Sequence, residues 1–214
     1  MFNEAIETFT HQGIKINIYQ DECDESPNDW RNEELFLVAF HQQFSVEREG
    51  FSQQICAAVA NKGINEYDEK DADAIQILKE YHVFGLEAYI HSGVSFALSQ
   101  EGNFPDRQWD VSQLGLVFVK KTEARLRTSA RKLALGLIKT WNQYLSGEVY
   151  WYKVGDESRY GIYGLEYAIE EAKGAAEYVA RNIQKKHEAK KKAEIKNHVP
   201  LSKRIALQSS LKYV

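Results

Sequence analysis

The sequence predicts an α+β fold: a single domain with a largely antiparallel central sheet of about six or seven strands and two long amphipathic helices packed on one face. Three observations predict it. Short apolar or alternating runs typical of strands recur along the chain. Two longer stretches repeat apolar residues at helical spacing. Turn signals join strands that follow one another directly, which favours antiparallel hairpins.

Four segments before residue 100 are predicted strands, because they are short and either alternate or are continuously apolar. They are Ile14–Tyr19, Leu35–Phe40, Val83–Ile90 and Val94–Leu98. The last two are expected to form a hairpin around His91-Ser-Gly93. Residues 1–12 are expected to form a short helical turn, with Phe2, Ile6 and Phe9 on one side. Residues 52–61 and 68–81 are predicted helices, and acidic residues in the first turns favour the second.

The centre of the chain is predicted to be a strand, a long helix and another strand. Gln113–Val119 is a nearly continuous apolar run, so it is expected to lie inside the sheet and to be covered on both faces. Thr122 is the predicted N-cap of a helix that runs to Leu145. Val149–Val154 then begins a hairpin that returns through Arg159–Tyr163.

The last predicted helix has an apolar face rich in alanine, which suits close packing. That face disappears after Ile183, although helix-favouring residues continue toward Pro200. We therefore predict a globular domain over residues 1–184 and a basic helical extension and tail over residues 185–214.

Charge is unevenly distributed along the 214 residues, whose formal net charge is −4. Residues 1–80 carry 6 Lys and Arg against 17 Asp and Glu, whereas residues 181–214 carry 10 against 2. Such a separation can steer different partners, or let the two ends or neighbouring subunits attract one another, so a homo-oligomer is possible.

Several classes of protein are disfavoured. The sequence contains no run of about eighteen apolar residues, so no membrane span is predicted. The acidic N-terminus is unlike a signal peptide. Cys23 and Cys56 form no motif and are expected to be reduced thiols of a cytosolic protein. Glycine-rich phosphate loops, Cys-x-x-Cys and His-Glu-x-x-His are absent, so no catalytic residue, cofactor or metal is predicted.

A binding surface is predicted where polar and aromatic side chains occupy strand ends and loops. Its members are Asp29, Trp30, His41, His91, Trp109 and Asp110. Four tryptophans and twelve tyrosines also suggest stacking surfaces for bases or partners, although Trp141 belongs to the packed helical face. The acidic loop Asp21–Asp29 has three open interpretations: a solvated loop, a cation site, or a mimic of nucleic-acid phosphates.

The basic extension is a candidate for phosphate binding, because lysine ammonium groups bind phosphates electrostatically. The candidate residues are Lys185, Lys186, Lys190, Lys191 and Lys192. The long central helix adds a second basic face, formed by Arg125, Arg127, Arg131, Lys132 and Lys139.

Three groups of segments resemble a family of uncharacterised proteins encoded by tailed phages and other bacterial mobile elements. They are Asp24-Glu-Ser-Pro-Asn-Asp-Trp30 with the strand to Phe40 and His41; Ala88–Val94 with Trp109–Val119; and Tyr144–Tyr150 with Tyr160–Gly164. The resemblance covers roughly residues 14–170. It implies a mobile-element origin and action in the bacterial cytoplasm, and it supplies no catalytic residues.

The leading functional hypothesis is a non-enzymatic phage or mobile-element accessory protein that binds a host or phage protein. A counter-defence inhibitor of the anti-CRISPR or antirestriction type would fit, with its acidic half occupying a basic nucleic-acid channel. The first alternative is a nucleic-acid-binding accessory protein that uses the basic tail. The second is a small hydrolase or nucleotide-modifying enzyme centred on His41, His91 and Asp110.

Overall fold

The computed structural model describes residues 4–22, 25–29, 33–41, 44–61, 71–90, 93–99, 101–102, 104 and 110–198. The chain divides into two compact units. Unit 1 comprises Met1–Asp21 and Tyr150–Val214, and unit 2 comprises Glu22–Val149. The α+β class is confirmed, and the sheets are antiparallel.

The described strands and helices are numbered in chain order. They are β1 (Glu7–His11), β2 (Ile14–Gln20), β3 (Leu35–Phe40), β4 (Ser45–Val46), α1 (Gln53–Ala60), α2 (Ala72–Glu80), β5 (Tyr81–Ile90), β6 (Val94–Leu98), β7 (Val111–Lys120), α3 (Arg127–Leu145), β8 (Val149–Val154), β9 (Glu157–Tyr163) and α4 (Leu165–His198).

The strands form two sheets rather than the predicted single central sheet. Unit 1 contains the order β1-β2-β8-β9, and unit 2 contains the order β4-β3-β7-β5-β6. Each long helix packs on its own sheet, α3 on the second and α4 on the first. The physical reason is that strand periodicity specifies which face of a strand is apolar and does not specify which strand lies beside it.

In unit 2, β7 is the central strand and is covered on both faces, as predicted. Val117 and Val119 lie in the apolar cluster that includes α3. Leu116 and Phe118 lie in the cluster formed with α1 and α2. A strand buried on two sides requires the nearly continuous apolar run from which it was predicted.

Helix α3 begins later than predicted. The amides of Glu123 and Ala124 bond to the Lys120 carbonyl in a tight turn, and the Ala124 carbonyl accepts a hydrogen bond from His82. These bonds hold the chain in a turn where Thr122 was expected to begin the helix. Leu126 precedes the first helical residue and is 65% exposed.

Two asparagine amides complete the hydrogen bonding of strands in unit 2. The Asn142 side chain accepts from the Phe96 amide at 2.7 Å and donates to the Phe96 carbonyl at 2.9 Å. Asn28 makes the same pair with Leu37, at 3.4 and 2.7 Å. Because β6 is an edge strand, the Asn142 amide replaces part of a missing neighbouring strand.

Replacing Asn142 is expected to destabilise unit 2. Asn142→Ala leaves the Phe96 backbone without both partners, which costs about 1–3 kcal/mol in the free energy of unfolding. Urea denaturation followed by circular dichroism measures the change. Gln143→Ala is the matched control and should unfold at nearly the wild-type urea concentration; equal loss in both variants would contradict the bridging role.

Unit 1 begins with a hairpin where a helical turn was predicted. Glu7–His11 pairs with β2, from Glu7 opposite Ile18 to His11 opposite Ile14. Gln12 and Gly13 have φ of 47° and 76°, the left-handed conformation of a two-residue hairpin turn. Phe9 packs into the core and Ile6 is exposed, so these side chains do not share one face.

Helix α4 packs on this sheet through small side chains. Ala168, Ala172 and Ala176 are fully buried in the cluster that contains Ile16, Ile18, Tyr152 and Ile162. Alanine lets the helix backbone approach the large side chains of the sheet closely. The helix then continues without interruption through residue 185, the predicted boundary, to His198.

Enlarging this alanine face is expected to destabilise unit 1. Ala172→Leu adds three heavy atoms at a position of zero exposure, which should cost about 1–3 kcal/mol in the free energy of unfolding through overpacking. Ala189→Leu places the same change on an exposed position of the same helix and serves as the control. Thermal and urea denaturation compare the two; an unchanged Ala172→Leu stability would show that the helix does not pack closely here.

Candidate nucleic-acid interface

The last part of α4 forms a basic arm, defined here as residues 183–198. Asn182 is the last partly buried residue, and the described side chains from Ile183 to Lys196 are exposed. Sixteen residues at 1.5 Å per residue span about 24 Å. Within the arm, six lysines and two glutamates give a net charge of +4. The helix is continuous as far as His198, and the assignment of residues 185–214 to a separate extension stays a prediction.

The described side chains of the arm are exposed, and the arm is helical because its residues favour helix locally. Lysine, alanine, glutamate and glutamine are good helix formers. The Gln184 amide also approaches the Glu188 carboxylate at 3.4 Å, one turn further along. At 100° per residue, the six lysines point to all sides of the helix. The arm thus presents positive charge in every direction, which suits contact with a polyanion more than recognition of one shape.

Three aromatic rings stack on the sheet of unit 1 and form what we call the aromatic column. Tyr19 on β2 and Trp151 on β8 have ring centroids 4.1 Å apart and an interplanar angle of 12°. Trp151 and Tyr160 on β9 follow at 5.0 Å and 18°. The column therefore crosses three neighbouring strands, and Trp151 is covered on both ring faces.

Strand alternation places the column on the sheet face opposite α4. Tyr19 lies opposite Trp151 in the β2–β8 register, and their neighbours Ile18 and Tyr152 belong to the core. On β9, Gly161 has φ of 68° and its amide donates to Asp21 Oδ2 at 2.8 Å. This left-handed residue interrupts the alternation, so that Ile162 enters the core while Tyr160 stays on the open face.

The surroundings of the column are polar and positively charged. Asn17 lies opposite Lys153 in the same register, one step along the face from the column, and bonds to Thr8 at 3.0 Å. Lys15 and Lys153 are exposed. Tyr160 is 60% exposed because it lies on β9, the last strand of this sheet. An aromatic surface and cationic groups therefore lie together on one face.

The side of the unit 1 sheet that α4 covers carries a groove of about 510 Å³, which charged and tyrosine side chains line. The Arg159 guanidinium pairs with Glu171, whose other oxygen accepts from the Tyr167 hydroxyl at 2.8 Å. That hydrogen bond raises the pKa of Tyr167, and burial, assisted by Glu171, raises the pKa of Tyr152. Both tyrosines therefore stay neutral at physiological pH, and Arg159 and Glu171 are paired with each other.

The predicted binding surface is only partly described. Trp30, His91 and Trp109 lie outside the described residues. Asp29 closes its own turn, since its carboxylate accepts from the Ser26 amide at 2.6 Å. His41 follows β3 and Asp110 precedes β7, and the antiparallel pairing of these strands brings both to one end of the unit 2 sheet. Whether the six residues form one surface stays a prediction.

The basic face of α3 is partly engaged within unit 2. Arg127 donates to the Val83 carbonyl at 2.9 Å and lies over the Phe84 ring. Arg131 pairs with Glu101, with Nε donating at 2.9 Å. These two arginines stabilise the fold, so α3 offers less free positive charge than its sequence indicates.

A cleft of about 700 Å³ lies beside α1 in unit 2, with Cys56, Gly85, Ser99 and Gln113 among its lining residues. Among the described residues, the buried Ser99 hydroxyl has no hydrogen-bond partner. Burial raises the pKa of the Cys56 thiol to about 11, and the thiol donates to the Phe51 carbonyl at 3.6 Å. The raised pKa disfavours the thiolate of Cys56, which is the nucleophilic form of the side chain.

Sequence reasoning overlooked Tyr19 and Tyr160, as well as the buried carboxylate of Glu87, which accepts from the Gly102 amide at 3.0 Å. The signals available in the sequence for these two tyrosines were the alternating pattern of β2 and the Tyr160-Gly161 pair near the end of β9. In the described part of the chain, no group of three or more His, Cys, Asp or Glu side chains is placed to hold a metal ion. None of the described helices is long and apolar enough to cross a membrane.

Comparisons with known proteins add no relative. The chain matches no protein-family model, and no similar curated protein or solved structure was found. The resemblance to proteins of phages and mobile elements therefore stays a prediction.

The buried thiol supports a chemical prediction. With a pKa of about 11, Cys56 stays protonated at pH 8 and should react slowly with iodoacetamide in the folded protein. Mass spectrometry of Cys23→Ser protein isolates the Cys56 reaction. Denaturation in urea should increase the alkylation rate at least tenfold, since a free thiol has a pKa of about 8.5. Equal rates in the folded and unfolded protein would contradict the burial of Cys56.

Proposed function

We propose that the protein binds nucleic acid through unit 1, with the basic arm contacting the phosphate backbone. The observation that carries the proposal is the arm itself. A helix of sixteen residues extends beyond its last packed contact, and its described side chains are exposed. The six lysines of this segment lie outside the apolar core, and their ammonium groups are suited to binding phosphates.

Electrostatics also determines how such binding behaves. Each phosphate contact made by a lysine releases a condensed counterion, so affinity falls steeply as salt rises. Lysines on all sides of a helix contact phosphates without reading bases. The arm therefore supplies affinity that does not depend on sequence, which is the mode expected of an accessory protein that coats or holds nucleic acid.

A counter-defence inhibitor that binds a host protein is the second candidate, and the charge of unit 2 favours it. Residues 22–149 carry 13 Lys and Arg against 20 Asp and Glu, a net charge of −7. Such a unit complements a basic nucleic-acid channel. A phage origin, a cytoplasmic location and a host target stay part of this proposal. The hydrolase hypothesis gains no support from the Cys56 thiol, because its raised pKa keeps it in the unreactive protonated form.

Neutralising the arm tests nucleic-acid binding. Replacing Lys185, Lys186, Lys190, Lys191 and Lys192 with glutamine removes five charges while keeping good helix formers. Fluorescence anisotropy with labelled 20-nucleotide strands at 50–200 mM salt should show at least tenfold weaker binding and a flatter dependence of log Kd on log salt. Both follow from the lost phosphate contacts.

The matched control replaces the same five lysines with arginine, which preserves charge and should preserve binding. Circular dichroism verifies that both variants keep their helix content. Wild-type affinity in the glutamine variant would contradict the proposal. Retention of a stoichiometric host protein from nuclease-treated lysate, without nucleic-acid binding, would favour the inhibitor instead.

A further inference from the structure

We propose that the aromatic column is a stacking site for an unpaired nucleobase, which adds to the column on the outer ring face of Tyr160. The inference rests on the proposed nucleic-acid-binding function and specifies its substrate class: single strands with accessible bases. The arm holds any polyanion, whereas the column distinguishes a single strand from a duplex.

The geometry of the column leaves one end open to a further ring. Trp151 is covered by Tyr19 on one side and Tyr160 on the other, at 4.1 and 5.0 Å. Tyr19 lies on β2, between β8 and β1, so its other side faces a neighbouring strand. Tyr160 lies on the terminal strand β9 and is 60% exposed. Within the described part of unit 1, a planar base can therefore continue the parallel stack only beyond Tyr160.

The backbone of β9 is shaped to present this ring. Regular alternation would place Tyr160 and Ile162 on the same face, because they are two residues apart. Gly161, at φ of 68°, separates them, and the Asp21 carboxylate holds the turned amide at 2.8 Å. Tyr160 consequently stands beside Trp151 on the open face. An exposed aromatic ring kept out of the core in this way is available to a ligand.

The charge around the column selects a phosphate-bearing ligand over an uncharged one. Alternation places Lys15 and Lys153 on the open face, beside Asn17. Glu157 and Arg159 lie on the opposite side and line the groove next to α4. A nucleotide brings both a base for the ring and a phosphate for lysine. In a duplex the bases are already stacked and paired, so only unpaired bases reach Tyr160.

The test measures the affinity of the full chain for four labelled oligonucleotides of twelve units. They are a thymidine strand, a uridine strand, an abasic strand with the same charge, and a duplex. The variants are Tyr160→Ala, Tyr160→Phe, and Tyr178→Ala, which removes an exposed tyrosine of the same unit outside the column. Each variant is checked for folding by its thermal transition.

Tyr160→Ala is expected to bind the thymidine or uridine strand about tenfold more weakly, since stacking of one base on an aromatic ring is of this magnitude. Its binding to the abasic strand should not change. Tyr160→Phe keeps the ring and should bind like the wild type, as should Tyr178→Ala. A larger effect with thymidine or with uridine identifies DNA or RNA as the source of the base and supports the site in either case.

The outcomes separate this inference from the proposed function. If the wild type binds the abasic strand as tightly as the thymidine and uridine strands, or if Tyr160→Ala binds these like the wild type, the stacking site is overturned while phosphate binding by the arm stands. If no oligonucleotide binds at low salt, both are overturned. If Tyr160→Ala unfolds, the stacking site is tested without that variant, by comparing the wild-type affinity for the abasic strand with that for the thymidine and uridine strands.

Discussion

The pairing of β2 with β8 is the constraint on which unit 1 depends. Its register runs from Ile16 opposite Val154 to Gln20 opposite Tyr150, joining segments about 130 residues apart in the chain. Closing so long a loop costs entropy before any contact is gained, so the pair must bury apolar surface on formation. It does so through Ile16, Ile18 and Tyr152, against the alanines of α4.

The same register creates the surface to which we assign function. Because side chains alternate, each residue placed in the core puts its neighbour on the open face, and Tyr19 thereby meets Trp151. The pairing of β2 with β8 thus forms the apolar core on one side of the sheet and the proposed binding surface on the other. The basic arm follows from the same helix that covers the core, since α4 stays helical after its apolar contacts end.

Unit 2 shows how similar polar residues serve the fold instead. Asn142 and Asn28 each bond to both backbone groups of one strand residue, and Asp29 closes a turn. Arg127 and Arg131 bond to a carbonyl and a carboxylate. Polar side chains on a helix or in a loop thus satisfy backbone groups along the open side of a strand. Their occurrence in loops and on a helix surface therefore indicates structure as readily as function.

Local periodicity by itself determined most strands and helices of this protein. Leu35–Phe40 and Val94–Leu98 were predicted with their observed bounds, and the exposed lysines of the arm follow from the loss of an apolar face after Ile183. Each of these features depends on residues adjacent in the chain. Thr122 and residues 1–12 were misassigned because a tertiary turn and a hairpin partner override local preference.

Only the tertiary structure decided which strands are neighbours, and with that the division into two sheets and the existence of the aromatic column. Tyr19, Trp151 and Tyr160 are unremarkable in the sequence, since a strand pattern states which face a residue occupies and leaves the adjoining strand unspecified. Their stacking needs a register between distant segments and a left-handed Gly161. The physical reason is that several strands have similar apolar patterns. Which of them pair depends on contacts between segments far apart in the chain and on the packing of the whole unit.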